Sequence, residues 1–195
     1  MIQNFNDWRN RYDSLTFQEQ VEYHNHLESL YPNQAHYDLN AFQKVLEISK
    51  PKTIIEAGVW KANLADIILR ENKDIESWRG IEISSSAIEK TACKDFRFTY
   101  AEINSFDWWK KLDLSSDLFF ATHFIEHISN KHFEQLVNAI KSPYVYFEAP
   151  LSDQGDEWDD FLGTHKLNIG WDGVKKIMKN YQEIEITPIC KLYYK

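Results

Sequence analysis

The feature that most constrains the fold of this chain is a short apolar strand that ends in an acid and a glycine. Residues 53–58 read Thr-Ile-Ile-Glu-Ala-Gly, and the spacing of apolar residues predicts an amphipathic helix from about Asn63. A second predicted strand, residues 78–83, carries Glu82 near its end. In α/β proteins this arrangement binds an adenosine-containing cofactor, because glycine lets the ligand approach the backbone and the acid accepts hydrogen bonds from the ribose.

The glycine pattern of this turn is incomplete. A dinucleotide site would need further glycines near Trp60 and Ala62, to make room for a pyrophosphate at the helix N-terminus. A tryptophan at position 60 removes that room. The turn therefore predicts a cofactor that contains adenosine and ribose but no pyrophosphate, which points to S-adenosylmethionine.

Composition excludes several classes of protein. The 195 residues are 43% hydrophobic, which suits one domain with a sizeable core, and the net charge of −8 disfavours nucleic acid as a partner. The N-terminus has no continuous apolar leader and no segment approaches the ~20 apolar residues of a membrane span, so we expect a cytoplasmic protein without membrane contact. Cys93 and Cys190 lack metal-site spacing and are expected to be buried, reduced thiols.

The first fifty residues are predicted to be helical. Thr16 and Glu19 form a capping-box pattern that opens a helix ending before Pro32, and Asp38 is expected to cap a second helix. We therefore predict a helical N-terminal cap over residues 1–50 and a cofactor-binding domain over residues 51–195, folded as a single structural unit.

From residue 52 onward, strands and helices alternate. The predicted strands are 53–58, 78–83, 96–103, 117–122, 144–148, 183–187 and 189–194, and the predicted helices are 63–72, 85–93, 131–141 and 173–180. Such alternation predicts an α/β fold with a doubly wound, mostly parallel sheet. Only Pro188 separates the last two strands, so they are expected to fold back as an antiparallel edge hairpin.

This order of elements resembles the class I (Rossmann-like) S-adenosylmethionine-dependent methyltransferases over residues 52–195. The resemblance rests on Glu56-Ala-Gly58, on Glu82, on Ala101-Glu102-Ile103 and on the hexapeptide 122–127, Thr-His-Phe-Ile-Glu-His. It implies a seven-stranded sheet with a reversed last hairpin. It also implies a cofactor pocket in which Glu82 binds the ribose while Glu102 and Ile103 flank the adenine. The cofactor-binding residues would be Glu56, Gly58, Trp60, Glu82, Ile83, Glu102, Ile103 and His123.

The cluster His123-Phe-Ile-Glu126-His127 can be interpreted as a protease motif, as a metal site or as the source of a general base. As a bare H-x-x-E-H motif it belongs to zinc proteases, which need it within a helix, whereas here an apolar strand runs directly into His123. It resembles instead the Glu-x-x-Glu-His of ubiquinone-pathway O-methyltransferases and small-RNA 2′-O-methyltransferases, which implies a divalent metal ion held by His123, Glu126, His127 and His165. Without a metal ion, His123 or His127 is the candidate general base, since imidazole titrates near neutrality.

The sequence thus predicts an S-adenosylmethionine-dependent methyltransferase that modifies a hydroxyl or amine of a small molecule. Its acidic charge and aromatic-rich N-terminal region favour a sugar or another hydroxylated metabolite. A non-catalytic binding or interaction protein with the same fold stays open because of Trp60 and Ala62, and a nicotinamide oxidoreductase is disfavoured by the absent second glycine. Candidate substrate walls are the aromatic side chains Tyr31, His36, Tyr37, Trp158, Phe161 and Trp171.

Overall fold

Seven strands form one mixed sheet in the computed structural model, which describes residues 14–30, 32, 37–151 and 167–195. The strands are β1 (Thr53–Ala57), β2 (Ser77–Ile81), β3 (Phe98–Tyr100), β4 (Leu118–Thr122), β5 (Tyr144–Glu148), β6 (Gln182–Thr187) and β7 (Cys190–Tyr194). Their order is β3-β2-β1-β4-β5-β7-β6. Strands β1 to β5 are parallel, and β7 runs antiparallel to both β5 and β6. The predicted doubly wound sheet with an antiparallel C-terminal edge hairpin is confirmed.

Six α-helices lie in the described part of the chain. They are α1 (Phe17–Leu30), α2 (Leu39–Ser49), α3 (Asn63–Glu71), α4 (Ser85–Glu89), α5 (Asn130–Ala139) and α6 (Gly170–Ile177). Both predicted N-terminal caps are present. The backbone N–H of Thr16 donates to Glu19 Oε2 at 2.8 Å, and that of Ala41 donates to Asp38 Oδ1 at 3.0 Å. None of the described helices has both the length and the apolar character needed to cross a bilayer.

Each face of the sheet is covered by its own apolar core. Helices α2 and α3 cover one face, and α5 and α6 cover the other. Phe42 of α2 is fully buried, with its ring centroid 4.6 Å from that of Phe120 and 5.9 Å from that of Tyr146. Helix α2 is therefore an integral part of the core, although the sequence grouped it with the N-terminal cap.

Two predicted elements are at least four residues shorter in the structure. The third strand was expected over residues 96–103, but Phe96 is 91% exposed and the side chain of Asp95 accepts the backbone N–H of Arg97 at 3.0 Å, a local turn that delays the strand. The helix expected over residues 85–93 ends at Glu89. Beyond it, the N–H of Ala92 donates to the carbonyl of Lys61 at 2.8 Å, which takes the chain out of helical geometry.

The strand order places a topological switch point between β1 and β4. The chain leaves β1 towards β2 and β3, then returns to pair β4 with the other side of β1. Open α/β sheets bind ligands in the crevice at the carboxyl ends of the strands at such a point. The segments that follow β1 and β4, which contain Gly58 and His123, are therefore the expected site.

We predict that Phe42→Ala lowers the free energy of unfolding by about 3–5 kcal/mol, because a fully buried aromatic ring is lost from the core. Urea denaturation of the full chain measures the change. The matched control, Phe96→Ala, removes an exposed ring and should change the free energy of unfolding by less than about 0.5 kcal/mol. Equal effects of the two substitutions would contradict the assignment of α2 to the core.

Candidate active site

The loop after β1 follows the path of a glycine-rich turn although only its first special position is a glycine. Gly58, Trp60 and Ala62 all have left-handed backbone conformations, with φ values of +76°, +51° and +58°. A residue with a side chain pays of order 1 kcal/mol for this conformation, so Trp60 and Ala62 hold it only because other contacts fix the loop. Having Trp60 and Ala62 in place of glycines therefore changes the side chains that line the loop, but the backbone keeps its left-handed conformations.

Glu82 braces this loop. Its Oε2 accepts the backbone N–H of Trp60 at 2.7 Å, and its Oε1 accepts those of Ile83 and Ser84, each at 2.8 Å. Burial raises the pKa of Glu82, and the three backbone donors oppose that rise. A carboxylate offers about four acceptor positions, and the described residues supply hydrogen-bond donors to three of those of Glu82.

Gly58 brings the two sides of the switch point into contact. Its N–H donates to the carbonyl of Ile81 at 2.9 Å, which ties the loop to the end of β2. A methyl group added at Gly58 would lie 3.1 Å from Cβ of Phe124, the residue that follows His123. Two features thus favour glycine at this position: the positive φ and the close approach of Phe124.

The other acids expected in the cofactor pocket have different surroundings. Glu56 is buried, and its Oε2 accepts the indole N–H of Trp78 at 2.9 Å. Burial raises the pKa of Glu56 well above its usual value, and the charge of Glu82 adds to the rise. Glu102 is exposed in the loop after β3, and Ile103 is half-buried against the core. Cofactor contacts by Glu56, Glu102 and Ile103 stay predictions.

His123 lies directly after β4 with φ +48°. Its Nδ1 is 3.3 Å from Glu126 Oε1, and its Nε2 is 3.8 Å from Glu148 Oε1. Burial lowers the pKa of His123, but the hydrogen bond to Glu126 and the charges of Glu126 and Glu148 outweigh it and raise the pKa. The two carboxylates therefore favour the protonated imidazole.

Glu126 and His127 lie on a short 3₁₀ helix, Ile125–His127. The motif is therefore not within an α-helix, in agreement with the prediction from the apolar strand before His123. Glu126 is buried, and its Oε1 is 4.0 Å from Nε2 of the more exposed His127. Burial raises the pKa of Glu126, but the two histidines outweigh this and lower it. His123, Glu126 and His127, which were predicted to act together, are thus neighbours at the carboxyl end of β4.

Two residues of this cluster were missed by sequence analysis. Glu148 ends β5 and accepts the phenolic O–H of Tyr146 and the backbone N–H of Asp38, each at 2.9 Å. An acid at a strand end was a signal that could have identified it. Burial lowers the pKa of His24 of α1 to about 3, and the charge of His127 adds to the lowering. No local pattern in α1 indicates that His24 lies within electrostatic reach of His127.

The described residues do not complete a metal site. No group of three or more His, Cys, Asp or Glu side chains among residues 14–30, 37–151 and 167–195 is arranged to hold a metal ion. Glu126 Oε2 is nevertheless buried and accepts no hydrogen bond from the described residues. His165 lies outside the described residues, as do four of the proposed substrate walls: Tyr31, His36, Trp158 and Phe161.

Comparison with solved structures identifies the fold. One similar structure is the methyltransferase domain of a bacterial Hen1, CtHen1, at a TM-score of 0.61 and 16% identity, covering 80% of this chain and 97% of that one. The chain has the class I methyltransferase fold. Human N-acetylserotonin methyltransferase in complex with S-adenosylmethionine shares this fold, at a TM-score of 0.59 and 10% identity over 92% of this chain and 55% of that one.

The mitomycin 7-O-methyltransferase MmcR also has the methyltransferase fold, with a TM-score of 0.56 and 12% identity over 92% of this chain and 60% of its own. The present chain thus spans somewhat more than half the length of these two larger enzymes. No protein-family model matches its sequence, and a comparison with curated proteins gives no match either.

We predict that Glu82→Gln lowers the free energy of unfolding by about 1–3 kcal/mol, because the amide NH₂ would face at least one buried backbone donor. Urea denaturation measures the change. Glu102→Gln is the matched control, since Glu102 is exposed, and should leave the free energy of unfolding within about 0.5 kcal/mol. If the two variants are equally stable, Glu82 does not brace the loop.

Proposed function

We propose that this chain is an S-adenosylmethionine-dependent methyltransferase that methylates a hydroxyl group of a small molecule. The observation that carries the proposal is the loop Gly58–Ala62, in which three residues have left-handed backbone conformations. Glu82 accepts a hydrogen bond from this loop at the switch point of a methyltransferase fold. Two of the similar structures are named as methyltransferases of N-acetylserotonin and mitomycin, which supports a small-molecule acceptor. A sugar or another hydroxylated metabolite fits the acidic charge of the chain.

The cofactor is proposed to lie across the carboxyl ends of β1 and β2. The fourth acceptor position of the Glu82 carboxylate suits a ribose hydroxyl, and the absence of a side chain on Gly58 lets the cofactor approach the backbone. Ile83, Glu102 and Ile103 are proposed around the adenine. Trp60 is proposed beside the methionine moiety, in place of the pyrophosphate of a dinucleotide.

Methyl transfer requires in-line attack of the acceptor oxygen on the methyl group of the sulfonium ion. The leaving group departs as a neutral thioether, so the protein needs to position the two reactants and to remove the hydroxyl proton. We assign the proton to Nε2 of His127, the more exposed imidazole of the pair. His123 lies between two carboxylates that favour its protonated form, which suits it to hold Glu126 and Glu148 in place.

A divalent ion is a proposed addition to this site. Suitable metal ligands are the carboxylate of Glu126 and the imidazoles of His123 and His127. One oxygen of Glu126, Oε2, is buried and accepts no hydrogen bond from the described residues. The described residues alone do not form a ligand set, so the ion would need His165 as well. When bound, such an ion would hold the acceptor hydroxyl and lower its pKa.

We expect S-adenosylhomocysteine, the demethylated product, to raise the melting temperature of the chain by about 5 °C or more at a hundredfold excess over Kd. NAD at the same concentration should leave it unchanged, because the loop has no room for a pyrophosphate. Differential scanning fluorimetry makes the comparison. Stabilisation by NAD alone would favour an oxidoreductase, and stabilisation by neither compound would leave a binding or interaction protein as the better assignment.

We expect His127→Ala to lower kcat by about 10²–10⁴-fold, the usual loss when a general base is removed. The assay follows transfer of a labelled methyl group to those hydroxylated small molecules that the unsubstituted protein methylates. Calorimetry with S-adenosylhomocysteine is the control and should give an unchanged Kd. The assignment of the base is wrong if His123→Ala abolishes turnover while His127→Ala retains it.

A further inference from the structure

Helix α1 lies outside both apolar cores. None of its residues, Phe17–Leu30, belongs to either buried cluster, although α2 and α3 each contribute several side chains. Its own buried side chains are Gln20, Tyr23 and Glu28, of which two are polar. Tyr23 supplies one buried ring, and Glu28 docks through hydrogen bonds and ion pairs. Elements that contribute little to the main core can open locally at low free energy.

Asn25 joins α1 to the segment that follows β2. Its Oδ1 accepts the hydroxyl of Ser84 at 2.9 Å and the backbone N–H of Ser86 at 3.0 Å, while its amide donates to the hydroxyl of Ser85 at 3.0 Å. Ser84 is also one of the backbone donors to Glu82. Asn25 thus docks α1 on the same segment that Glu82 braces.

Glu28 joins α1 to the loop after β1 as well. Its Oε1 is 2.7 Å from Nζ of Lys61, which lies between Trp60 and Ala62, and its Oε2 pairs with Lys90 and accepts the hydroxyl of Ser86 at 2.8 Å. Only 1% of the Glu28 side chain is exposed. Its two lysine partners lower the pKa of Glu28 to about 2. One carboxylate therefore connects α1 to both walls of the proposed cofactor pocket.

The opposite end of α1 borders a cleft at the surface. This cleft, of about 280 Å³, lies between Leu15, Phe17 and Gln20 on one side and the loop 105–107 on the other. The contacts of Asn25 and Glu28 are therefore the ones that hold α1 where it meets the proposed cofactor loops.

We propose that α1 is a lid whose docking is coupled to cofactor binding, with Glu28 and Asn25 as the positioning residues that carry the coupling. The proposal rests on the proposed function. A ligand that orders the loop 58–62 and the segment 82–86 fixes the positions of the residues to which α1 docks, so less conformational entropy is lost when α1 docks. By thermodynamic reciprocity, the docked helix must then raise the affinity for that ligand.

Hydrogen exchange measured by mass spectrometry on the full chain, with and without S-adenosylhomocysteine, tests the lid. We expect the ligand to slow exchange in residues 17–30 as well as in residues 58–62 and 82–86. In Glu28→Gln, the ligand should protect the two loops but no longer protect α1, and Kd by calorimetry should rise about fivefold or more. Glu22→Gln, an exposed position on the same helix, is the matched control and should behave like the unsubstituted protein.

The outcomes separate the lid from the function on which it rests. Protection of both loops without protection of α1 overturns the lid and leaves the proposed function standing, whereas absence of any binding of S-adenosylhomocysteine overturns both. If Glu28→Gln does not fold, Asn25→Ala replaces it with the same expected result. Ligand-dependent protection of α1 that persists in the folded variant overturns the coupling roles of these residues.

Discussion

The carboxylate of Glu82 holds the candidate site together. It accepts backbone N–H groups from the loop after β1 and from the segment after β2, so that two chain segments depend on one buried side chain. The loop it braces contains Trp60 and Ala62 in conformations that normally favour glycine. Without this carboxylate, the loop would lose the acceptor of the Trp60 N–H, and its left-handed conformations would depend on fewer contacts.

The sheet topology explains why the loop braced by Glu82 lies beside the segment that follows β4. The chain crosses from one side of β1 to the other between β3 and β4, which brings the segments after β1 and β4 together. A methyl group added at Gly58 would lie 3.1 Å from Cβ of Phe124, and His123 follows β4 directly. The strand order therefore places the proposed cofactor pocket beside the segment that carries His123 and His127.

Local signals in the sequence predicted most of the fold. The strand Tyr144–Glu148, the cap at Asp38 and the antiparallel hairpin were all encoded within a few neighbouring residues. The site was harder to predict, because its contacts join distant segments. Local periodicity gives no sign that Glu28 pairs with Lys61 or that His127 affects the pKa of His24. The turn that shortens β3 also depends on one side-chain contact, from Asp95 to the backbone of Arg97.

Glu82 is proposed to brace the loop and to bind the cofactor ribose at the same time. A crystal structure of the full chain with S-adenosylhomocysteine tests this proposal most directly. We predict a ribose hydroxyl within hydrogen-bond distance of Glu82 Oε2, with the N–H of Trp60 still bonded to the same oxygen. A bound ligand whose ribose lies away from Glu82, or one that displaces Trp60 from it, would contradict the account.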